Sequence, residues 1–205
     1  SYKGITSHKH ALWTAQFIAD NEVVFKNLIG ADLSDLSNKN NLIQLASGHH
    51  LPKIQQTELG KIIKEADMLS SGMDRESDLA LRDEQDEQEK NWDAFKRKRM
   101  ISILETIHLD NNEIEQKGTW KHLPVTDISL SKSYFPKDKF DEQPDYATLW
   151  NKFERDFKFI QSNTYRAFSE TLLSLLFKYT CNVPASTINF PDVSLYDHSK
   201  MTAAL

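Results

Sequence analysis

The chain has 205 residues, 39% of them hydrophobic and 27% charged, with four Trp, six Tyr and eleven Phe. That length fits one domain, or one domain with a sizeable insertion, and the aromatic content argues against disorder. A formal net charge of -5 and a pI near 5.8 exclude a whole-surface basic footprint for duplex nucleic acid. No run approaches the ~20 apolar residues of a membrane helix, and no charged-then-apolar leader opens the chain, so neither a spanning segment nor a secretory signal is expected. A single cysteine, Cys181, excludes an internal disulfide framework and fits a reducing, cytoplasmic setting.

In chain order, Ser7 to Asp20 is predicted to be helical, with Leu12, Ala15 and Ala19 in one stripe and His10, Trp13 and Phe17 in another beside it. A polar stretch follows from Asp32 to Asn41. Leu42 to Ala46 ends a second helix, with Gly48 as its stop and Pro52 shortly after. Leu59, Ile62, Ile63, Ala66 and Leu69 mark a third helix, predicted to stop at Ser70-Ser71-Gly72. Asp83 to Lys90 is a charged, low-complexity segment that reads as solvated. Phe95-Lys96-Arg97-Lys98-Arg99-Met100 is either a phosphate-facing patch or, more ordinarily, the wet side of a helix. Glu113 to Tyr134, with Gly118, Pro124 and β-branched residues, reads as irregular with short strands.

Pro144-Asp145 starts a strong helix carrying Tyr146, Leu149, Trp150, Phe153, Phe157 and Ile160 at the i, i+3, i+4, i+7 rhythm. Another begins near Thr164 and carries Tyr165, Phe168, Leu172, Leu175, Leu176 and Tyr179. Both stripes are assigned to a core rather than to a cofactor box. Asp197 is the expected N-cap of a last helix that stops two turns later; two turns do not hold a helix alone, so the chain reads as a piece of a longer protein. The expected fold class is therefore mainly α. Its organisation is one domain over 1-205, with a helical core at 1-80 and 145-205 and a charged, irregular insertion at 81-144.

No P-loop, dinucleotide fingerprint, nucleophile elbow or Cys-x-x-Cys is present. Cys181 follows an apolar helix and reads as a buried structural thiol. The distinctive feature is histidine placement. Five of the seven histidines fall in three short clusters, Ser7-His8-Lys9-His10-Ala11, Gly48-His49-His50-Leu51-Pro52 and Tyr196-Asp197-His198-Ser199. His8 and His10 are two apart, so on a regular helix they point roughly opposite ways and cannot chelate one ion. The His49-His50 turn lies just past a helix C-terminus, where an imidazole is also a natural cap. Asp67 sits on the edge of an apolar stripe and needs a partner: a metal, a backbone group or Lys64. His108 and His122 read as structural or exposed. Helix-borne histidines, a His-His turn and a helix-borne carboxylate together form a ligand set for a mixed N/O divalent-metal site. It suits Mn, Fe, Co, Ni or Zn better than Ca or Mg alone. Such a site activates water for phosphoester hydrolysis, and because imidazole ligates only when neutral, binding weakens as pH falls.

Four segments carry more than chemistry: His8-Lys9-His10-Ala11-Leu12-Trp13-Thr14-Ala15; Gly48-His49-His50-Leu51-Pro52; Ala66-Asp67-Met68-Leu69-Ser70-Ser71-Gly72-Met73-Asp74-Arg75; and Asp192-Val193-Ser194-Leu195-Tyr196-Asp197-His198-Ser199-Lys200-Met201-Thr202-Ala203-Ala204. In this order and spacing they resemble the N-terminal HD domain of the large multidomain subunit of type III-A (Csm) CRISPR interference complexes, over essentially the whole chain. The resemblance implies a circularly permuted HD-type helical bundle in which His198 takes the place of the first metal-site histidine of other HD proteins. His10, His49, His50 and Asp67 fall on later motif positions. The implied metal ligands are His10, His49, His50, Asp67 and His198, with Asp67 and His50 catalytic and a divalent ion, Mn, Ni or Co foremost and Mg also admitted, as cofactor. The family's His-Asp doublet, which stands upstream of the Lys-His-Ala helix, does not occur in this sequence.

The implied activity is metal-dependent cleavage of single-stranded DNA in antiviral defence. The implied partners are the other subunits of the complex, with crRNA and target RNA reached through it, and no membrane. Lys61, Lys64 and the Lys96–Arg99 run are candidates for guiding the strand. The family's large subunit also makes cyclic oligoadenylates from ATP in palm domains through a Gly-Gly-Asp-Asp motif; nothing in this sequence matches either. Two other readings stand beside the nuclease: a catalytically incomplete HD platform for assembly of the crRNA ribonucleoprotein, and a nucleotide phosphohydrolase of the wider HD superfamily.

Overall fold

The computed structural model describes residues 9–29, 33, 35, 37–49, 51, 56–76, 97–105, 107, 120–162, 164–186 and 191–205. Among them lie seven α-helices: α1 (Lys9–Asp20), α2 (Glu22–Ile29), α3 (Leu42–Ser47), α4 (Glu58–Glu76), α5 (Tyr146–Lys158), α6 (Tyr165–Thr180) and α7 (Leu195–Ala204). Where short strands were expected, the described residues make isolated antiparallel bridges, Ile101 with His122 and His122 with Lys137, and a further bridge joins Pro184 to Ser194. The fold is mainly α, as expected. No helix among the described residues is long and apolar enough to cross a membrane.

The chain divides into two compact units. The first comprises residues 1–69, 160–170 and 205. Here α1 packs against α3, and Ala11, Ile18, Phe25, Leu33, Ala66 and Phe168 are buried. Phe25 meets Phe17 and Phe168 edge-on, at ring-centre distances of 6.4 and 6.0 Å, the geometry that opposes ring edges to ring faces. Buried Asn21 separates α1 from α2. Its side-chain amide and its backbone N–H both donate to the Phe17 carbonyl, at 2.8 and 3.1 Å, and its own carbonyl accepts from Val24 and Phe25. The chain thus restarts as α2, a helix that no apolar stripe had announced. α3 opens on Asn41, whose side chain accepts from the Ile43 N–H at 2.9 Å, and ends at Gly48, as predicted. α4 runs through Gly72 to Glu76 instead of stopping at Ser70-Ser71-Gly72. Serine and glycine interrupt a helix only weakly, by up to about 1 kcal/mol relative to alanine. At Ser70 the side chain is buried and hydrogen-bonded to α7, which offsets that preference.

The second unit comprises residues 70–159 and 171–204. Asp145 caps α5 by accepting from the Thr148 N–H at 2.9 Å, so the predicted start holds. Leu149, Phe153 and Phe157 form the buried face of α5, while Ile160 falls outside the helix. Phe157 is fully buried. Phe153 lies 6.0 Å from it and 5.8 Å, edge-on, from Tyr179 of α6. The irregular segment attaches to the end of α6: Ile128 donates to the Lys178 carbonyl at 3.0 Å, and the buried Asn182 amide donates to the Pro124 carbonyl at 3.2 Å. α7 is capped not by Asp197 but by Ser194. The Ser194 hydroxyl accepts from the Asp197 N–H at 3.0 Å and donates to the Asp197 carboxylate at 2.6 Å, so Asp197 belongs to the first turn.

A carboxylate ties α5 to α6. Asp156 accepts from the Lys178 ammonium at 2.8 Å and the Tyr179 hydroxyl at 2.6 Å, and from two Arg155 nitrogens at 3.0 and 2.9 Å. These donors, Lys178 first, hold the Asp156 carboxyl well below the usual carboxylate range and raise Lys178 in return. A carboxylate whose folded pKa is depressed contributes stability in full above its unfolded pKa, and the contribution is lost as pH falls toward the folded one. Asp156→Asn is therefore expected to lower stability by about 1–2 kcal/mol at neutral pH, with the gap to wild type closing as denaturation is repeated at pH values below the ordinary carboxylate range.

Candidate metal centre

Within the first unit, the packing of α1 on α3 brings two of the predicted histidines together. His10 lies in the first turn of α1, and His49 follows the glycine that ends α3. Their ring centres are 5.6 Å apart, with planes inclined by 30°. The His49 Nδ1 is 3.1 Å from the Ala46 carbonyl oxygen. A carbonyl only accepts, so Nδ1 carries the hydrogen and donates it, which leaves the ring's lone pair on Nε2. This contact caps α3, the alternative role foreseen for the turn, and it is also the arrangement that orients a metal-ligating imidazole. Each imidazole offers a nitrogen donor of the kind a divalent metal ion takes.

The turn carrying His49 is held by a residue the sequence did not single out. The Gln56 amide donates to the carbonyls of Leu51, His49 and Gly48 at 2.8, 3.1 and 3.4 Å. Its Oε1 is buried without a hydrogen-bond partner. The Lys64 ammonium adds a bond to the Leu51 carbonyl at 3.3 Å. A cavity of about 250 Å³ adjoins the turn, lined in part by Gln44, Gly48, Leu51, Gln56 and Gly60. Only the uncharged amide at position 56 could have signalled this role, and a lone glutamine in a loop is no signal.

Asp67 is half-buried on α4. His8, His50, His108 and Lys96 lie outside the described residues. Among the described residues no three His, Cys, Asp or Glu side chains gather closely enough to hold a metal ion. What the structure brings together in this unit is the His10–His49 pair.

In the second unit, His198 stands in the second turn of α7 with its Nδ1 2.8 Å from the Ser70 Oγ. His122 pairs through its backbone with Lys137, and burial draws its imidazole pKa down, in keeping with a structural role. Cys181 is half-buried, 3.6 Å from the Tyr134 hydroxyl; burial pushes the thiol up and carries the Tyr134 phenol up to about 12. The expected full burial of this thiol is not what the structure shows. The proposed strand guides have local duties: Lys61 pairs with Glu58 at 2.6 Å, and the Arg99 guanidinium lies 3.9 Å over the Phe140 ring while donating to the Glu142 carbonyl at 2.7 Å.

No protein-family model matches the chain. A curated protein of Methanocaldococcus jannaschii, the CRISPR system single-strand-specific deoxyribonuclease Cas10/Csm1 (subtype III-A), is 31% identical over 185 residues, which cover 83% of this chain and 21% of the relative. The chain spans about a fifth of that protein's length. Helical architecture and this similarity together are consistent with an HD-like helical domain of the type III-A CRISPR large-subunit class. Over most of its length the chain is similar to this Cas10/Csm1 protein, and its fold is consistent with a Cas10 HD-like N-terminal domain.

Gly48 offers a direct test of the turn. A Cβ there would collide with the Gln44 carbonyl oxygen, a backbone atom of α3 that cannot swing away. Gly48→Ala is expected to cost on the order of 1–3 kcal/mol, read as a lowered thermal midpoint.

Proposed function

We propose that this chain is the HD-type nuclease module of a type III-A CRISPR large subunit, cleaving single-stranded DNA with a divalent metal ion. The observation that carries the reading is the 31% identity to a relative named as a single-strand-specific deoxyribonuclease. The paired imidazoles of His10 and His49 support it from the chemical side. In this reading His10, His49, His50, Asp67 and His198 supply the ligands, with Asp67 and His50 the residues on which turnover depends most. Mn, Ni or Co suits the mixed nitrogen and oxygen set, and Mg is the further candidate. A divalent ion held there would acidify a bound water and stabilise charge on the phosphate.

The chain's own contribution is orientation. His49 donates from Nδ1 to a helix-end carbonyl, and the Gln56 amide fixes the turn that carries it. The imidazoles must stay neutral to ligate, so metal affinity is expected to fall as pH drops into the range where imidazole protonates. The other subunits of the complex, crRNA and target RNA belong to the same proposal as partners, and cyclic oligoadenylate synthesis to other parts of the parent protein.

The test is cleavage of single-stranded oligonucleotides by the full-length protein with Mn. His50→Ala and Asp67→Ala are each expected to reduce cleavage by about 10- to 100-fold or more, with the fold intact by circular dichroism. Wild-type cleavage and Mn binding in both variants would overturn the ligand assignment. Hydrolysis of free deoxynucleotides in preference to oligonucleotides would point to a phosphohydrolase instead.

A further inference from the structure

We propose that Ser70 is the positioning residue for the His198 imidazole, holding it in the tautomer that places the lone pair on Nε2; the role toward a metal rests on His198 being a ligand. Ser70 is 2% exposed, although it lies on a helix whose neighbouring side chains Met68 and Leu69 are open to solvent. A serine inside a helix commonly turns its hydroxyl back on its own chain. Here the Oγ reaches a residue 128 positions away, 2.8 Å from its Nδ1 and 3.1 Å from its carbonyl oxygen.

The two contacts together favour one direction for the proton. A hydroxyl owns a single hydrogen, and the carbonyl can only accept. With that hydrogen given to the carbonyl, the Oγ lone pairs accept from Nδ1–H and both contacts are hydrogen bonds. With it given to Nδ1, the hydroxyl and carbonyl oxygens would face each other lone pair to lone pair, where burial leaves no water to relieve them. The first arrangement puts the hydrogen on Nδ1 and the lone pair on Nε2. The receiving carbonyl is itself held, accepting from the Thr202 hydroxyl at 2.9 Å, and the Ser194–Asp197 cap fixes the start of the same helix. An imidazole whose far N–H is held by an acceptor is fixed in orientation and becomes the better ligand.

The test has two readouts. In metal-free protein with histidines labelled with nitrogen-15, long-range proton–nitrogen correlation spectra at a pH where imidazole is neutral report the tautomer of each ring. His198 is expected to carry its hydrogen on Nδ1, and to lose that preference in Ser70→Ala; a hydrogen on Nε2 in the wild type would overturn the proposal. The second readout is Mn affinity, followed by the electron paramagnetic resonance of the free ion. Ser70→Ala is expected to weaken binding about 10- to 100-fold, and Ser70→Thr, which keeps the hydroxyl, to restore both tautomer and affinity. Unchanged affinity in Ser70→Ala beside weakened affinity in His198→Ala would remove the positioning role and leave the ligand. Unchanged affinity in His198→Ala would instead remove His198 from the ligand set, and with it the role toward metal, whatever the tautomer.

Discussion

The second unit depends on the junction where Tyr179 meets α5. The Tyr179 ring, 2% exposed, packs edge-on against Phe153, and its hydroxyl reaches Asp156 one turn further along the same helix. Apolar contact and a charge-assisted hydrogen bond thus act through one side chain, and neither can be satisfied unless α5 and α6 keep their register. From that junction order passes down the chain. The end of α6 offers the Lys178 carbonyl to Ile128 and the Asn182 amide to Pro124, which pins the irregular segment. Val183 then accepts from Leu195, and Ala185 donates to Val193, so the chain folds back and Ser194 is set down as the cap of α7. His198 lies one turn beyond that cap, which is why its ring meets Ser70 at a defined distance.

What could be read from the residues alone follows from how local each signal is. α5 was legible because Pro144-Asp145 supplies a start and aromatic and aliphatic residues from Tyr146 to Ile160 repeat at helical spacing. α2 was not, because it spans only Glu22–Ile29 and is created by Asn21 folding back on Phe17, a contact that no periodicity reports. The end of α4 was misplaced because Ser-Ser-Gly is a local stop signal, while the bond from Ser70 to His198 is a tertiary one. The cap of α7 was misplaced by three residues because Ser194 and Asp197 are both competent caps; which of them takes the position depends on the bridge that brings Pro184 to Ser194.

The candidate site divides the same way. The histidine clusters stood out as composition, and the resemblance gave them an order, but that His10 meets His49 follows only from α1 packing on α3. Gln56 and Ser70 were invisible as functional residues. Each is a neutral side chain whose meaning lies in the backbone or ring it reaches, seven positions away in one case and 128 in the other. His49 shows why the two early readings of its turn were never rivals. The cap uses Nδ1 and the proposed ligation would use Nε2, so the two roles are compatible in one ring.

His49 and His198 reach the same tautomer by different means. His49 faces a carbonyl, which cannot donate, so in that contact Nδ1 is the donor. His198 faces a hydroxyl, which can do either, and the decision passes to the second contact, from Ser70 to the His198 carbonyl. A carbonyl-held ring is as secure as its helix end. A hydroxyl-held ring is secure only while both bonds persist together, and burial of the serine is what makes the alternative pairing expensive. The small, nearly inaccessible side chain at position 70 therefore accepts only replacements that keep a hydroxyl, because the group there must donate and accept at once.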